Sequence, residues 1–263
     1  MFLRLVTFCF LAMCAVMSRA EFHESEPISY ADNERCTLKV YHDANTAGLP
    51  VIVWFHGGSL TSGAGFIPHE IKDAGYVIVA PNYRLLPNVE VGQCIDDAAA
   101  AVAWVFKNIE RYGGDPSKIF VTGHSAGGYL TSMVGLDKSW LAKYGVDADS
   151  IAGLIPFSGQ AITHFSWRKM HDTPELQPTI DDTAPLYHVR PDAPPYVIIC
   201  GDRELELFGR YEENAYMWRM MKLVGHPDVR IYELDGYNHG DMASPAFHIL
   251  RDNVSRILRD KSH

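Results

Sequence analysis

The sequence predicts an α/β fold with a mostly parallel, twisted sheet flanked by helices. Continuous apolar runs of four to six residues alternate along the chain with segments that have helical periodicity. This alternation is typical of repeated strand–helix–strand units, whose strands run parallel. The chain has 263 residues, 47% of them hydrophobic, which is enough for one sizeable core.

Seven segments are predicted as strands and five as helices, and the first strand is expected at an edge of the sheet. The strands are Thr37–Tyr41, Val51–Phe55, Tyr76–Pro81, Ile119–Thr122, Ile151–Pro156, Tyr196–Cys200 and Arg230–Leu234, and the helices are Ile67–Ala74, Cys94–Tyr112, Ala126–Leu136, Glu212–Val224 and Phe247–Leu258.

The first twenty residues have the layout of a cleaved signal peptide. An apolar run, Leu5–Met17, is followed by Ser18-Arg19-Ala20, with small residues at the positions a signal peptidase reads. The run is short for a membrane anchor, and a lipoprotein signal ending at Cys14 is the less favoured alternative. We therefore expect residues 1–20 to be removed and the rest to be secreted or periplasmic, without stable membrane insertion.

Charge and cysteine content exclude several classes of protein. The formal net charge is −9 and no basic patch is evident, so we expect no nucleic-acid partner. After signal removal three cysteines remain, Cys36, Cys94 and Cys200, which allow at most one disulfide. No pair has the spacing of zinc ligands, and all three are expected in the core.

The sequence Gly123-His124-Ser125-Ala126-Gly127 fits the G-x-S-x-G pattern. It follows a predicted strand and precedes a predicted helix, which is the context that makes the pattern informative. The glycines permit a tight turn that pushes the serine hydroxyl out of the sheet, and the helix start places backbone N–H groups beside it. Ser125 is therefore the candidate nucleophile.

A second glycine motif, His56-Gly57-Gly58, directly follows the Val51–Phe55 strand. In acyl transfer, backbone N–H groups stabilise the negative charge that develops on the carbonyl oxygen. We predict that Gly57, Gly58 and Ala126 supply these donors as an oxyanion hole, and that His56 orients the loop by hydrogen bonding.

An unactivated serine needs a base, and among twelve histidines position favours His239. It lies in Gly236–Asp241, between the last predicted strand and the last helix, in the chain order serine, acid, histidine. His226 precedes that strand, His248 lies inside the closing helix and His263 is terminal.

The acid that orients the histidine is expected in the loop after the Tyr196–Cys200 strand. Asp202, Glu204 and Glu206 are all candidates. Glu204 is preferred because it lies three residues past Gly201, with Asp202 next, while Glu206 is expected to start the following helix.

The segment Gly159–Pro195 interrupts the alternation of strands and helices. It contains several prolines and ring side chains such as Trp167 and Tyr187. Long loops in compact domains are uncommon and often functional, so we predict a small cap insertion in a single domain over residues 21–263, with a plain long loop as the alternative.

Together these motifs resemble the hormone-sensitive-lipase-like and carboxylesterase branch of the α/β-hydrolase superfamily, and most closely its small secreted bacterial carbohydrate esterases of the acetyl-xylan and feruloyl type. One departure is Ser59, where the family often has a third glycine. The matching stretches span nearly the whole mature chain: Val53–Gly58, Pro81–Leu85, Gly113–Pro116, Gly123–Gly128, Gly201–Glu204 and Asn238–Gly240.

The resemblance implies a serine carboxylester hydrolase that works through an acyl-enzyme, with Ser125, Glu204 and His239 as its catalytic residues. It implies a small-molecule or carbohydrate ester as substrate, short-chain acyl or feruloyl, and no metal or organic cofactor. The alternatives are a kynurenine-formamidase-like amide hydrolase, a peptidase, or a non-catalytic binding module with the same fold.

Overall fold

A computed structural model describes residues 20–261, which form a nine-stranded sheet with helices on both faces. This architecture confirms the predicted fold class. The strands are β1 (Phe22–Glu24), β2 (Ile28–Ser29), β3 (Thr37–Asp43), β4 (Leu49–Phe55), β5 (Val77–Pro81), β6 (Gly114–His124), β7 (Gly153–Phe157), β8 (Tyr196–Gly201) and β9 (Val229–Leu234). The helices are α1 (Val91–Asn108), α2 (Ala126–Leu136), α3 (Lys138–Ala142), α4 (Phe165–Met170), α5 (Arg210–Leu223) and α6 (Ala243–Lys261).

The strand order brings the chain's functional loops to one edge. The sheet runs β1-β3-β5-β4-β6-β7-β8-β9, with β2 also paired to β3. All pairings from β5 to β9 are parallel, whereas β3 is antiparallel to β1, β2 and β5. Because parallel strands end at the same edge, the loops after β4, β6, β8 and β9 meet there.

The side chains of β4 show how the sheet is covered on both faces. Val51, Val53 and Phe55 pack into the core that contains α1, α2 and α5, while Ile52 and Trp54 pack into a second core formed with α6. A strand buried on both faces is apolar throughout, which is why the sequence predicts it clearly.

Two predictions about the N-terminal part are wrong. Strand β3 is not an edge strand, because β1 and β2 pair with it on the side away from β5. The segment Ile67–Ala74 forms only a short 3-10 helix, His69–Ile71. The chain then takes left-handed conformations at Asp73, with φ 55°, and at Gly75, with φ 80°, which end the helical run.

The cysteines Cys36, Cys94 and Cys200 are all free and buried. Cys94 and Cys200 pack in the apolar core, as predicted, whereas Cys36 is buried beside Tyr30, Arg84 and Asp97. Among residues 20–261, no helix is both long and apolar enough to cross a membrane. Residues 1–19 of the predicted signal peptide lie outside the described residues.

Residues 159–195, here called the cap segment, contain α4 and a 3-10 helix, Pro185–His188, and add no strand to the described sheet. Among the hydrogen bonds that fix its position, one joins it to α2 and one to the loop after β4. The Tyr129 hydroxyl in α2 donates to the Thr183 carbonyl oxygen at 2.6 Å, and the Ser166 hydroxyl donates to the Ser59 carbonyl oxygen at 2.7 Å. The cap segment therefore rests on the loop that follows β4.

Candidate active site

Ser125 occupies a sharp turn between β6 and α2, with φ 58° and ψ −116°. A left-handed φ at a non-glycine residue costs about 1–3 kcal/mol and persists only where the surroundings impose it. Here Gly127 allows α2 to approach β4 so closely that an added Cβ would lie 2.0 Å from the Phe55 carbonyl oxygen. An added Cβ at Gly123 would lie 2.6 Å from the same oxygen. The absence of a side chain at these two positions thus permits the strained turn that carries Ser125, which is half-buried.

The structure brings His239 to Ser125 from the loop between β9 and α6. His239 Nε2 lies 2.9 Å from Ser125 Oγ, and His239 Nδ1 lies 2.7 Å from Glu206 Oε2. An ionised carboxylate only accepts hydrogen bonds, so the imidazole proton lies on Nδ1. The Nε2 lone pair therefore faces the serine hydroxyl, as proton abstraction requires.

The prediction of Glu204 as the histidine's partner is wrong, because Glu206 holds that position. The Leu205 and Glu206 N–H groups both donate to the Asp202 carbonyl oxygen at 2.9 Å, which folds the loop into a turn. This turn directs Glu206 inward, where its side chain is fully buried, and leaves Glu204 exposed. Helix α5 begins only at Arg210, so Glu206 does not start it.

Asp202, the second choice for the acid, connects two loops. Its Oδ2 accepts from the Gly236 N–H at 2.8 Å, and its Oδ1 accepts from the Glu204 N–H at 2.9 Å. These bonds fix the loop after β8 to the loop that carries His239.

The Glu206 carboxylate is fully surrounded by donors. Oε1 accepts from the Gly201 N–H at 3.0 Å and from the Ser158 hydroxyl, while Oε2 accepts from the Leu207 N–H at 3.2 Å as well as from His239. Burial by itself would raise the pKa of Glu206, but the hydrogen bonds from His239 and Ser158 outweigh it and lower the pKa to about 2. Glu206 is therefore ionised at neutral pH.

Two of the three predicted oxyanion residues, Gly57 and Ala126, lie beside Ser125. An added Cβ at Gly57 would lie 3.3 Å from Ser125 Cβ, and Ala126 is the first residue of α2. The loop turns sharply at Gly58, whose φ is 108°, and an added Cβ there would lie 2.2 Å from the Ser62 carbonyl oxygen. Glycine is thus required at position 58 for the close turn.

His56 orients this loop through a hydrogen bond and a ring contact. Its Nδ1 lies 2.6 Å from the Gly57 carbonyl oxygen, and its ring stacks on Tyr83 with 4.4 Å between centroids. Burial lowers the pKa of His56 to about 4, so the ring is neutral and Nδ1–H donates to the carbonyl.

Two buried histidines predict acid sensitivity. Burial lowers the pKa values of His56 and His124 to about 4, below the value of 6.5 for an exposed histidine. Between pH 6.5 and 4 the unfolded chain binds more protons than the folded one, so the free energy of unfolding falls as the pH falls. One pKa unit corresponds to about 1.4 kcal/mol, so each histidine costs about 3 kcal/mol of stability by pH 4.

Thermal unfolding measured between pH 7 and pH 4.5 is expected to show a steadily falling Tm. The variant His56→Gln should show a shallower fall. The control His69→Gln, at a side chain that is 87% exposed, should follow the wild-type curve. A Tm that stays constant between pH 7 and pH 4.5 would contradict a contribution from the two histidines.

A cavity of about 490 Å³ opens between the loop after β4 and α4 of the cap segment. Its wall is mostly apolar. The lining residues are Ser59, Thr61, Leu86, Pro87, Phe165, Ser166, Lys169, Met170 and Glu175.

The chain is similar to known esterases in sequence and structure. The BD-FAE family model matches residues 38–149. Esterase LipC of Mycobacterium tuberculosis is 26% identical over 258 residues, which cover 87% of this chain. The chain spans 62% of the length of LipC, and less of the next relatives in the comparison.

Two solved structures share the fold. Thermogutta terrifontis esterase 2, phosphoramylated by tabun, superposes with a TM-score of 0.70 at 23% identity, covering 88% of this chain and 94% of that one. A truncated carbohydrate esterase from gut microbiota superposes with a TM-score of 0.75 at 16% identity, covering 89% of this chain and 96% of that one. The chain is thus similar in sequence to part of these esterases, and it shares its α/β fold with the two solved esterase structures.

Proposed function

We propose that this protein is a serine carboxylester hydrolase with Ser125, His239 and Glu206 as its catalytic residues. The observation that carries the proposal is the continuous hydrogen-bonded series from Ser125 Oγ through the His239 imidazole to the Glu206 carboxylate. A nucleophile within reach of a base, and a base oriented by a third group, is the arrangement that nucleophilic catalysis requires.

The reaction has two steps. His239 Nε2 takes the hydroxyl proton as Ser125 Oγ attacks the ester carbonyl, and the resulting imidazolium is stabilised by the ionised Glu206. The same proton then passes to the alcohol as it leaves, and an acyl-serine remains. Water, activated by His239, hydrolyses this intermediate and restores the enzyme.

The negative oxygen of each tetrahedral intermediate is bound by the N–H groups of Gly57, Gly58 and Ala126. Loss of one such donor costs about 3–4 kcal/mol in the transition state. The Ser59 carbonyl accepts from the Ser166 hydroxyl of the cap segment, so the cap supports the loop that supplies two of the three donors.

As substrates we propose short-chain acyl or feruloyl esters of carbohydrates. The mostly apolar cavity of about 490 Å³ is lined by Ser59, the residue after the oxyanion glycines, but neither Ser125 nor His239 lines it. We therefore assign it to a part of the substrate away from the reacting carbonyl. The carbohydrate esterase among the structural neighbours supports a sugar ester. Because residues 1–20 have the layout of a signal peptide, we propose that the enzyme acts outside the cytoplasm.

A fluorophosphonate probe tests the reaction class, since it phosphonylates only an activated serine. We expect one adduct per chain on wild-type protein, located by peptide mass spectrometry at Ser125, and competition by p-nitrophenyl acetate. A chain that neither reacts nor hydrolyses any ester is a non-catalytic hydrolase fold.

A substrate panel then tests the ester class. Acetylated xylan, methyl ferulate and p-nitrophenyl acetate should be cleaved, and an aryl formamide should be a poor substrate. Faster cleavage of the formamide than of every ester would contradict the ester class and indicate an amide hydrolase.

A further inference from the structure

His124 directly precedes Ser125, and its side chain turns toward the loop that carries His239. Its Nε2 lies 2.7 Å from the main-chain carbonyl oxygen of His239. The two imidazole rings lie 4.8 Å apart between centroids, tilted by 40°. The residue before the candidate nucleophile thus contacts the main chain of the candidate base.

The chemistry of this contact fixes the state of His124. A carbonyl oxygen only accepts hydrogen bonds, so the His124 proton must lie on Nε2. The Nδ1 side of the ring lies toward the oxyanion loop, where an added Cβ at Gly57 would be 3.5 Å from it. Burial, together with the neighbouring His239, lowers the pKa of His124 to about 4, and the other charged groups that face it are Glu206 and Arg210. His124 is therefore neutral at neutral pH.

The loop between β9 and α6 needs such a contact because most of it is exposed. Residues 235–238 and 240–241 are all exposed, while His239 is half-buried. The loop is tied to the turn after β8 at two points: the Asp202 N–H donates to the Tyr237 carbonyl at 2.8 Å, and Asp202 Oδ2 accepts from Gly236. These bonds lie on the side of Glu206. The bond from His124 joins the loop to the end of β6, directly before Ser125.

We propose that His124 is a positioning residue: its side-chain N–H holds the main chain of His239 so that the imidazole spans Ser125 Oγ and the Glu206 carboxylate. The inference rests on the proposed function, because alignment of His239 matters only if it transfers the serine proton. A displacement of about 1 Å at a reacting group can cost about 100-fold in rate.

Two variants separate the donor from the ring. His124→Phe keeps an aromatic ring beside His239 and removes the N–H. His124→Gln removes the ring and restores an amide N–H at about the position of Nε2. We expect His124→Phe to lower kcat for p-nitrophenyl acetate by about 10- to 100-fold with KM changed less than about twofold. We expect His124→Gln to recover kcat to within about fivefold of wild type.

The reverse order, with Phe active and Gln impaired, would overturn the proposal and assign the effect to ring packing. If His124→Phe does not fold, His124→Gln decides alone: a loss of tenfold or more in kcat with an unchanged Tm contradicts the role of the donor.

A spectroscopic measurement separates this inference from the proposed function. The His239 Nδ1 proton shared with Glu206 should give a low-field NMR signal in wild type and in His124→Gln, and a broadened or shifted one in His124→Phe. If wild type hydrolyses no ester, the proposed function fails, and these spectra still show whether His124 positions His239. Identical signals in all three proteins would contradict the positioning role.

Discussion

Ser125→Ala is expected to lower kcat/KM for p-nitrophenyl acetate by about 10⁵-fold while leaving the protein folded. The substitution removes only the hydroxyl group. Without it the enzyme cannot form the covalent intermediate that splits ester hydrolysis into two easier steps. The residual rate comes from the oxyanion donors and from substrate binding. Initial rates, with circular dichroism as the check on folding, measure the effect. A variant that retains one-hundredth of the activity would require another nucleophile.

The same position links activity to stability. Alanine at position 125 would retain the strain of the left-handed backbone conformation, whereas glycine adopts that conformation without strain. Relief of this strain is worth about 1 kcal/mol. Ser125→Gly should therefore unfold about 2–4 °C above Ser125→Ala, although both are inactive. Equal Tm values would show that the strain relief does not exceed the conformational entropy that glycine adds to the unfolded chain.

Glu206→Ala is expected to lower kcat by about 10³- to 10⁴-fold, whereas Glu204→Ala changes it by less than about twofold. Without the Glu206 carboxylate, the His239 imidazole loses the acceptor for its Nδ1 proton, and the imidazolium formed in the reaction loses its counter-charge. Glu204 lies two residues away in the same turn with an exposed side chain, which makes it a matched control.

A control for stability is needed, because Glu206 also accepts hydrogen bonds from Gly201 and Ser158. Its removal leaves the buried Ser158 hydroxyl without its acceptor and the Gly201 N–H with only the longer bond to Ser158 Oγ at 3.4 Å, so Tm should fall as well. Glu206→Gln keeps the volume and an acceptor oxygen but not the charge. It should retain more stability than Glu206→Ala and remain at least about 10²-fold below wild type. Near-wild-type turnover in Glu206→Gln would show that the negative charge is not required.

The fold and half of the candidate site could be read from local sequence because local residues determine them. A strand buried on both faces, such as β4, is continuously apolar and is recognisable alone. The turn at Ser125 depends on Gly123 and Gly127, which lie within the same five residues. His239 follows from its place between the last strand and the last helix.

The remaining features depend on contacts between distant parts of the chain. Strands β1 and β2 have three and two residues, too few for a period, and exist through pairing with β3. The choice of Glu206 over Glu204 depends on a turn whose partners, Ser158 and His239, are 48 and 33 positions away. Three carboxylates within five residues look equivalent until that turn fixes which one points inward.

The order of the strands has a consequence for when the protein can first act. Ser125 and the glycines beside it follow β6 and β4 in the middle of the sheet, whereas Glu206 and His239 follow β8 and β9 at its far end. His239 lies 114 positions after Ser125, so a chain emerging from the ribosome carries the serine long before its base. We therefore expect the proposed hydrolase to be inactive during synthesis and to become active only when β9 has paired with β8. A chain that ends before β9 lacks His239 and therefore has no base for Ser125.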